Sequence, residues 1–135
     1  MNQKKTPRDD DRHQWTNHVF EKMRYYGLSE GRVRRVLHSP KRVEEGVAPG
    51  TTAIMQPGGT LKHPYEVWVM YQNIKSKIKN QKSKLMMKRR RIISAWKYPG
   101  VSKPRGEVPV PDDIRRYVSR THLQNISKSR LQRFS

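Results

Sequence analysis

Four residues carry side chains that could perform acid–base chemistry on a phosphodiester. His18 titrates near neutral pH and can move a proton, Lys97 can stabilise negative charge that develops at phosphorus, and Tyr98 can orient a substrate or donate a proton. Glu21 lies three positions after His18 and would share its helix face. The sequence predicts His18, Glu21, Lys97 and Tyr98 as a catalytic group, with Arg91 as an alternative to Lys97. The alternative to catalysis is a structural role for these residues: His18 makes only a structural hydrogen bond, and Tyr98 lies at the rim of the core.

A cationic segment at residues 73–91 carries the strongest functional signal. It holds nine Lys or Arg and no acidic residue. Each phosphate that such a segment neutralises releases condensed counterions, so the segment could supply most of the affinity for RNA or DNA. The alternative is a solvated loop that only aids solubility. The residues predicted to bind nucleic acid are Lys75, Lys77, Lys79, Lys82, Lys84, Lys88, Arg89, Arg90 and Arg91.

The composition favours a polyanionic partner for the whole chain. The 135 residues include 30 Lys or Arg against 11 Asp or Glu, which gives a formal net charge of +19. No stretch approaches the roughly 18 apolar residues of a spanning helix, and the N-terminus lacks a signal-peptide core, so we expect a cytoplasmic protein with no membrane partner. There is no cysteine. His13 and His18 lack the i, i+4 spacing of a helical metal pair, and we expect neither a metal nor another cofactor.

An α+β domain over residues 13–98 would position these groups. Its centre is the strand Tyr65–Gln72, with apolar side chains on both faces. We predict helices at 17–26, capped by Thr16 and ended by Gly27, and from Ser29 to Ser39. The other strands are expected at 42–47, 51–56 and 91–98. The prediction is two N-terminal helices packed on a four-stranded antiparallel sheet.

The flanking segments complete the predicted organisation. Residues 1–12 form a polar, disordered arm, whose triplet Asp9-Asp10-Asp11 is either solvated or folded back on the basic surface. Residues 73–90 are a basic insertion, either an extension of the strands or a flexible loop. A proline-rich connector at 99–111 leads to a C-terminal helix within 112–126 and a basic tail at 127–135. That helix, with Arg115, Arg116 and Arg120, either faces phosphates or plugs the sheet edge.

Several aromatic residues could stack on bases if they were exposed: Trp15, Tyr25, Trp68, Trp96 and Tyr98. We expect Trp68 to be core. Tyr25 is the better stacking candidate, because it faces away from the apolar stripe of the first helix, which is formed by Val19, Met23 and Tyr26.

The helical pair resembles a known family. The residues that carry the resemblance are His18, Glu21, Lys22, Met23, Gly27, Leu28 and Ser29, followed by Val33, Val36, Leu37, Pro40, Val43 and Glu44. In this pattern residues 13–98 are similar to a small bacterial domain-of-unknown-function family grouped with the RelE/ParE/BrnT toxins. Lys22 stands where Arg is common, and the basic insertion and the extension after Gly100 depart from the usual form.

The resemblance implies a RelE/ParE-like fold and a metal-independent endoribonuclease, or a descendant that binds RNA or the ribosome without cutting it. A second interpretation, from a different functional class, is a non-catalytic protein-interaction module that binds an acidic partner such as an antitoxin. A weaker interpretation is a ribosomal-protein-like accessory factor.

Overall fold

The protein folds as a mixed α+β structure of five strands and three helices. A computed structural model describes the backbone of residues 7–79 and 86–120, and the side chains of 7–74 and 89–120. The elements in chain order are β1 (His13–Trp15), α1 (Asn17–Tyr26), α2 (Glu30–His38), β2 (Arg42–Glu45), β3 (Thr51–Gly59), β4 (Pro64–Lys79), β5 (Met86–Pro99) and α3 (112–120).

The sheet has the order β1-β5-β4-β3-β2. Strands β2 to β5 pair antiparallel with their chain neighbours, as predicted. The prediction of four strands was wrong, because the short strand β1 pairs parallel with β5, with His13 opposite Arg90 and Trp15 opposite Ile92. A three-residue strand gives no periodic signal of its own, and its pairing forms only through contact with a distant part of the chain.

The two N-terminal helices form where their capping residues predict them. Thr16 Oγ1 accepts a hydrogen bond from Val19 N, and Ser29 Oγ accepts one from Arg32 N, so each side chain satisfies a free N–H of the first turn. Gly27 ends α1 in the left-handed region, at a φ of 67°. The predicted bounds of α1 and the N-terminal caps of both helices are confirmed.

One face of the sheet packs against α1 and α2. The apolar side chains of this layer are Trp15, Val19, Met23, Leu28, Val33, Val36, Leu37, Ile54, Val67, Val69, Tyr71, Ile92 and Ala95. Successive strand residues point to opposite faces, so Val67, Val69 and Tyr71 of β4 lie on this side, as the sequence predicts. Burying a side chain of this size contributes about 1.5–3 kcal/mol.

The other face is covered by the C-terminal part of the chain. Trp68 and Trp96 stack here, with ring centroids 6.1 Å apart, and the side chains that cover them include Val108, Ile114 and Val118. The connector at 99–111 is therefore more than a spacer, because Val108 and Val110 are buried in this second core. α3 covers a face of the sheet and not its edge, since Ile114 and Val118 pack with Trp68 and Trp96 of the inner strands, so the predicted edge plug was wrong. The alternative role, phosphate binding by the exposed arginines of α3, stays a prediction.

The basic insertion continues the two central strands. β4 runs for 16 residues and β5 for 14, and their pairing extends to Lys79 opposite Met86. The strand extension considered for residues 73–79 is confirmed for the backbone. No helix among the described residues combines the length and apolar character that a membrane crossing requires.

Candidate nucleic-acid interface

A cationic cleft of about 1210 Å³ lies where α2, β1 and the far ends of β4 and β5 meet. Its lining residues are Arg12, His13, Arg34, Arg35, Leu37, His38, Ser39, Gln56, Tyr71, Asn73, Ile74 and Arg90. Among the described residues, four arginines and two histidines contribute to this surface, and no carboxylate does. We call this surface the cationic cleft.

Arg90 is a cleft arginine whose side chain contacts two other elements of the fold. Its guanidinium carbon lies 4.5 Å from the centroid of the Tyr71 ring, and its Nη1 donates to Leu37 O over 3.3 Å. Leu37 is in the last turn of α2, where the free carbonyls carry partial negative charge and favour a cation. Arg90 therefore joins α2 to β4 and β5.

Arg34 and His13 lie beside an acidic side chain. Asp10 Oδ2 is 3.5 Å from Arg34 Nη2, and Asp10 Oδ1 is 3.4 Å from His13 Nδ1, a buried atom that makes no hydrogen bond with the described residues. Arg34 Nε also donates to Glu30 Oε2 over 2.7 Å, and its guanidinium lies over Trp15. Arg34 thus has two carboxylate partners, and its charge is partly neutralised.

The histidine of this group is held in the neutral state. Burial lowers the pKa of His13, and the charges of Arg34 and Arg90 lower it further, against the opposing effect of Asp10.

The other three arginines of the cleft have no carboxylate within ion-pair distance among the described residues; they are Arg12, Arg35 and Arg90. Their charge remains available to an anionic ligand.

The predicted nucleic-acid-binding residues fall only partly within the described structure. Lys75, Lys77, Lys79 and Lys88 belong to strands whose side chains there lie outside the described residues, and Lys82 and Lys84 lie outside altogether. Arg89, Arg90 and Arg91 are described. Arg89 Nε donates to Asp10 O, Arg91 Nε donates to Gln14 Oε1, and Arg90 lines the cationic cleft.

His18 lies in the interior, away from the cationic cleft. Its Nε2 is 3.1 Å from Ser94 Oγ, and its ring stacks on Tyr117 of α3 at a centroid distance of 3.7 Å. Only 9% of its surface is exposed. Burial lowers the pKa of His18, with a contribution of the same sign from Lys22, so the ring is neutral at pH 7.

Of the other three predicted catalytic residues, Glu21 lies near His18, because its charge opposes the lowering of the His18 pKa by burial and by Lys22. Lys97 Nζ lies over the Tyr65 ring, which packs on the helix-covered face, whereas Tyr98 packs against the second core. Glu21 is exposed on α1 and forms no ion pair with the described residues. The described structure therefore separates Lys97 and Tyr98 by the thickness of the sheet.

The aromatic residues considered for base stacking differ in their exposure. Trp15, Trp68 and Trp96 are buried, so they offer no ring face to a base. Tyr25 is 77% exposed, in agreement with its predicted orientation, and its ring meets Tyr26 edge to face.

Within the described ranges, no group of three or more His, Asp or Glu side chains is placed to hold a metal ion.

The residues that sequence reasoning missed are the cleft residues of α2 and β1. Arg34, Arg35 and His38 lie on the polar side of α2, opposite the Val33 and Leu37 stripe, and a polar helix face is usually only solvated. Arg12 precedes, and His13 begins, a strand that was not predicted. The available signal was the absence of acidic residues from the second half of α2, beside three basic residues.

Comparison of the chain with protein-family models, with curated proteins and with solved structures finds no match in any of the three.

Proposed function

We propose that this protein binds RNA, free or in the ribosome, and that the sugar–phosphate backbone enters the cationic cleft. The observation that carries the proposal is the lining of the cleft: four arginines, two histidines and no carboxylate. A net charge of +19 adds a long-range attraction for any polyanion. A cytoplasmic location, where RNA is abundant, belongs to the proposal.

The arginines of the cleft suit phosphate for a physical reason. A guanidinium is planar, always charged and able to donate two parallel hydrogen bonds to phosphate oxygens. Arg12 and Arg35 are suited to this role because no carboxylate among the described residues competes for them. Every phosphate that they neutralise releases condensed counterions, so the affinity should fall steeply with salt.

The remainder of the lining suits the sugar and base portions of a nucleotide. Asn73 and Ser39 offer hydrogen-bonding groups, while Leu37 and Ile74 offer apolar surface beside them. Gln56 is already engaged, because its Nε2 donates to Arg35 O and Ser39 O and its Oε1 accepts from Arg32. A site with both charged and apolar groups fits a nucleotide better than it fits an isolated inorganic ion.

Membership in the RelE/ParE-like group is part of the proposal, and so is the preference for RNA over DNA. The pattern in residues 18–44 and the α1–α2 pair on a largely antiparallel sheet support both. For the activity we favour binding without cleavage by the predicted group. His18 is buried against Ser94 and Tyr117, and Lys97 and Tyr98 lie on different faces of the sheet.

The test is a titration of fluorescently labelled RNA with the purified protein, followed by anisotropy between 50 and 300 mM salt. The variant Arg12→Gln/Arg35→Gln removes two cleft charges that have no ion-pair partner. The matched control is Arg24→Gln with Arg105→Gln, two exposed arginines that do not line the cleft and belong to no predicted phosphate-binding surface. We expect a slope of log K against log salt that is smaller by about 1.4 for the cleft variant, at about 0.7 per phosphate contact on a single strand.

The control variant should change the slope much less than the cleft variant. Equal losses in both variants would mean that only total charge matters, and the cleft proposal would fail. Binding of an acidic protein that survives high salt, together with no RNA binding at 50 mM salt, would favour the interaction-module interpretation instead.

A further inference from the structure

Asp10 is fixed next to the cationic cleft by its own backbone. Its Oδ1 accepts hydrogen bonds from Arg12 N over 2.8 Å and from His13 N over 2.7 Å. These bonds close a turn directly before β1 and hold the carboxylate in one place. The N-terminal acidic triplet is therefore not simply a solvated run, since its central residue has defined contacts.

The other oxygen of the same carboxylate faces the cleft arginine Arg34. Asp10 Oδ2 lies 3.5 Å from Arg34 Nη2, and Asp10 Oδ1 lies 3.4 Å from His13 Nδ1. Both partners line the cleft, although Asp10 itself does not. One aspartate thus contacts two of the six basic side chains of the cleft.

We propose that Asp10 acts as an electrostatic brake on the cationic cleft: together with Glu30, which also pairs with Arg34, it reduces the positive charge of the cleft and thereby lowers its affinity for RNA phosphate. The inference rests on the proposed function and names a regulation of the same site. A full set of unpaired arginines would hold any polyanion tightly. A carboxylate beside one of them weakens every such complex and favours ligands that make the remaining contacts well.

The substitution Asp10→Asn isolates this effect. Asparagine has the same shape and keeps an Oδ1 that can accept both backbone hydrogen bonds, so the turn should be retained while the negative charge is removed. The matched control is Asp11→Asn, which removes the same charge one position away. Asp11 is exposed and makes no hydrogen bond or ion pair with the described residues. Thermal unfolding of both variants checks that the fold is intact.

We expect Asp10→Asn to bind labelled RNA about fourfold more tightly than the wild type near 50 mM salt. This is the effect of removing one unit charge about 5 Å from a phosphate in a water-like dielectric. Asp11→Asn should give a clearly smaller gain. The gain from Asp10→Asn should be smaller in an Arg34→Gln background, because the part of the brake that acts through Arg34 is then absent.

The outcomes distinguish a failure of the Asp10 proposal from a failure of the proposed RNA binding. RNA binding that depends on Arg12 and Arg35, with Asp10→Asn equal to Asp11→Asn or weaker than the wild type, overturns the brake alone. A weaker Asp10→Asn complex would mean that Asp10 positions Arg34 for binding. Absence of RNA binding by the wild type at 50 mM salt overturns both proposals.

Discussion

Arg90 lies over the ring of Tyr71, its guanidinium carbon 4.5 Å from the ring centroid, while its Nη1 donates to Leu37 O. The two contacts join β5, β4 and the end of α2 at one point. The same side chain lines the cationic cleft. Arg90 is therefore a structural residue and, in the proposed function, a phosphate ligand, and substitutions can separate the two roles.

Arg90→Lys and Arg90→Gln should have the same effect on stability and different effects on binding. Both lose the stacked guanidinium and its fixed hydrogen bond, which together contribute about 1–2 kcal/mol. Only Arg90→Gln removes the charge, so only it should lower the salt dependence of RNA binding. Urea unfolding and the anisotropy titration measure the two effects. Equal RNA binding by both variants would remove Arg90 from the proposed phosphate ligands.

Stability should decline as the pH falls from 7.5 to 5. The pKa of His18 is below its ordinary value of about 6.5, so the unfolded chain takes up a proton at a higher pH than the folded chain does. The lowered pKa of His13 acts in the same direction. Each histidine contributes at most about 1.4 kcal/mol per pH unit, within the interval between its folded and unfolded pKa.

The variant His18→Phe tests the origin of this pH dependence. Phenylalanine retains a ring that can stack on Tyr117 and cannot be protonated, so the melting temperature should vary less between pH 5 and 7.5. The exposed His63→Gln serves as the control and should behave as the wild type does. An undiminished pH dependence in His18→Phe would exclude His18 as its source.

A buried carboxylate fastens the connector to the sheet. Glu66 is 2% exposed; its Oε1 accepts from Trp68 Nε1 and from Ser102 Oγ, and its Oε2 accepts from Ser102 N. Arg42 Nη1 donates to the same serine hydroxyl. Ser102→Ala should cost about 1–3 kcal/mol, because buried charged groups lose a hydrogen-bonding partner. Urea unfolding measures the loss. The exposed Ser119→Ala should cost much less, and equal values would contradict this account.

Incubation with total RNA and with ribosomes, without added metal, tests the predicted catalytic group. We expect intact RNA and sedimentation of the protein with ribosomes at low salt, because His18 is buried and Lys97 and Tyr98 lie on opposite faces of the sheet. Discrete cleavage products that vanish in both His18→Ala and Lys97→Ala would instead restore the toxin-like ribonuclease. Retained folding of both variants, checked by circular dichroism, is the necessary control.

The parts of the fold that local chemistry determines could be predicted from the sequence. Thr16 and Gly27 mark the bounds of α1, and alternation in β4 assigns Val67 and Trp68 to opposite faces. These signals lie within a few residues of the element that they define. β1 and the burial of Val108 could not be predicted, because both depend on contact with a strand far along the chain.

The candidate site was harder to predict for the same reason. The cationic segment indicated nucleic acid, and Arg90 was named from it. The other basic residues of the cleft come from α2 and the N-terminal segment, and Arg35 and His38 had only the pattern of a solvated helix face. Their common location is a property of the tertiary structure. Lys97 and Tyr98 of the predicted catalytic group lie on opposite faces because they are adjacent in a strand, and adjacent strand residues point to opposite faces.

Because β1 pairs in parallel with β5, the N-terminal strand can join the sheet only after most of the domain has been synthesised. The hydrogen bond between Gln14 and Arg91 joins residues 77 positions apart, and the pair of His13 with Arg90 spans a similar loop. Closing such a loop costs chain entropy and gives the domain a high contact order. During synthesis α1, α2 and the β2–β3 hairpin emerge before β5 exists. The cleft can therefore be completed only after β5 has left the ribosome, which makes the proposed RNA binding a late property of the nascent chain.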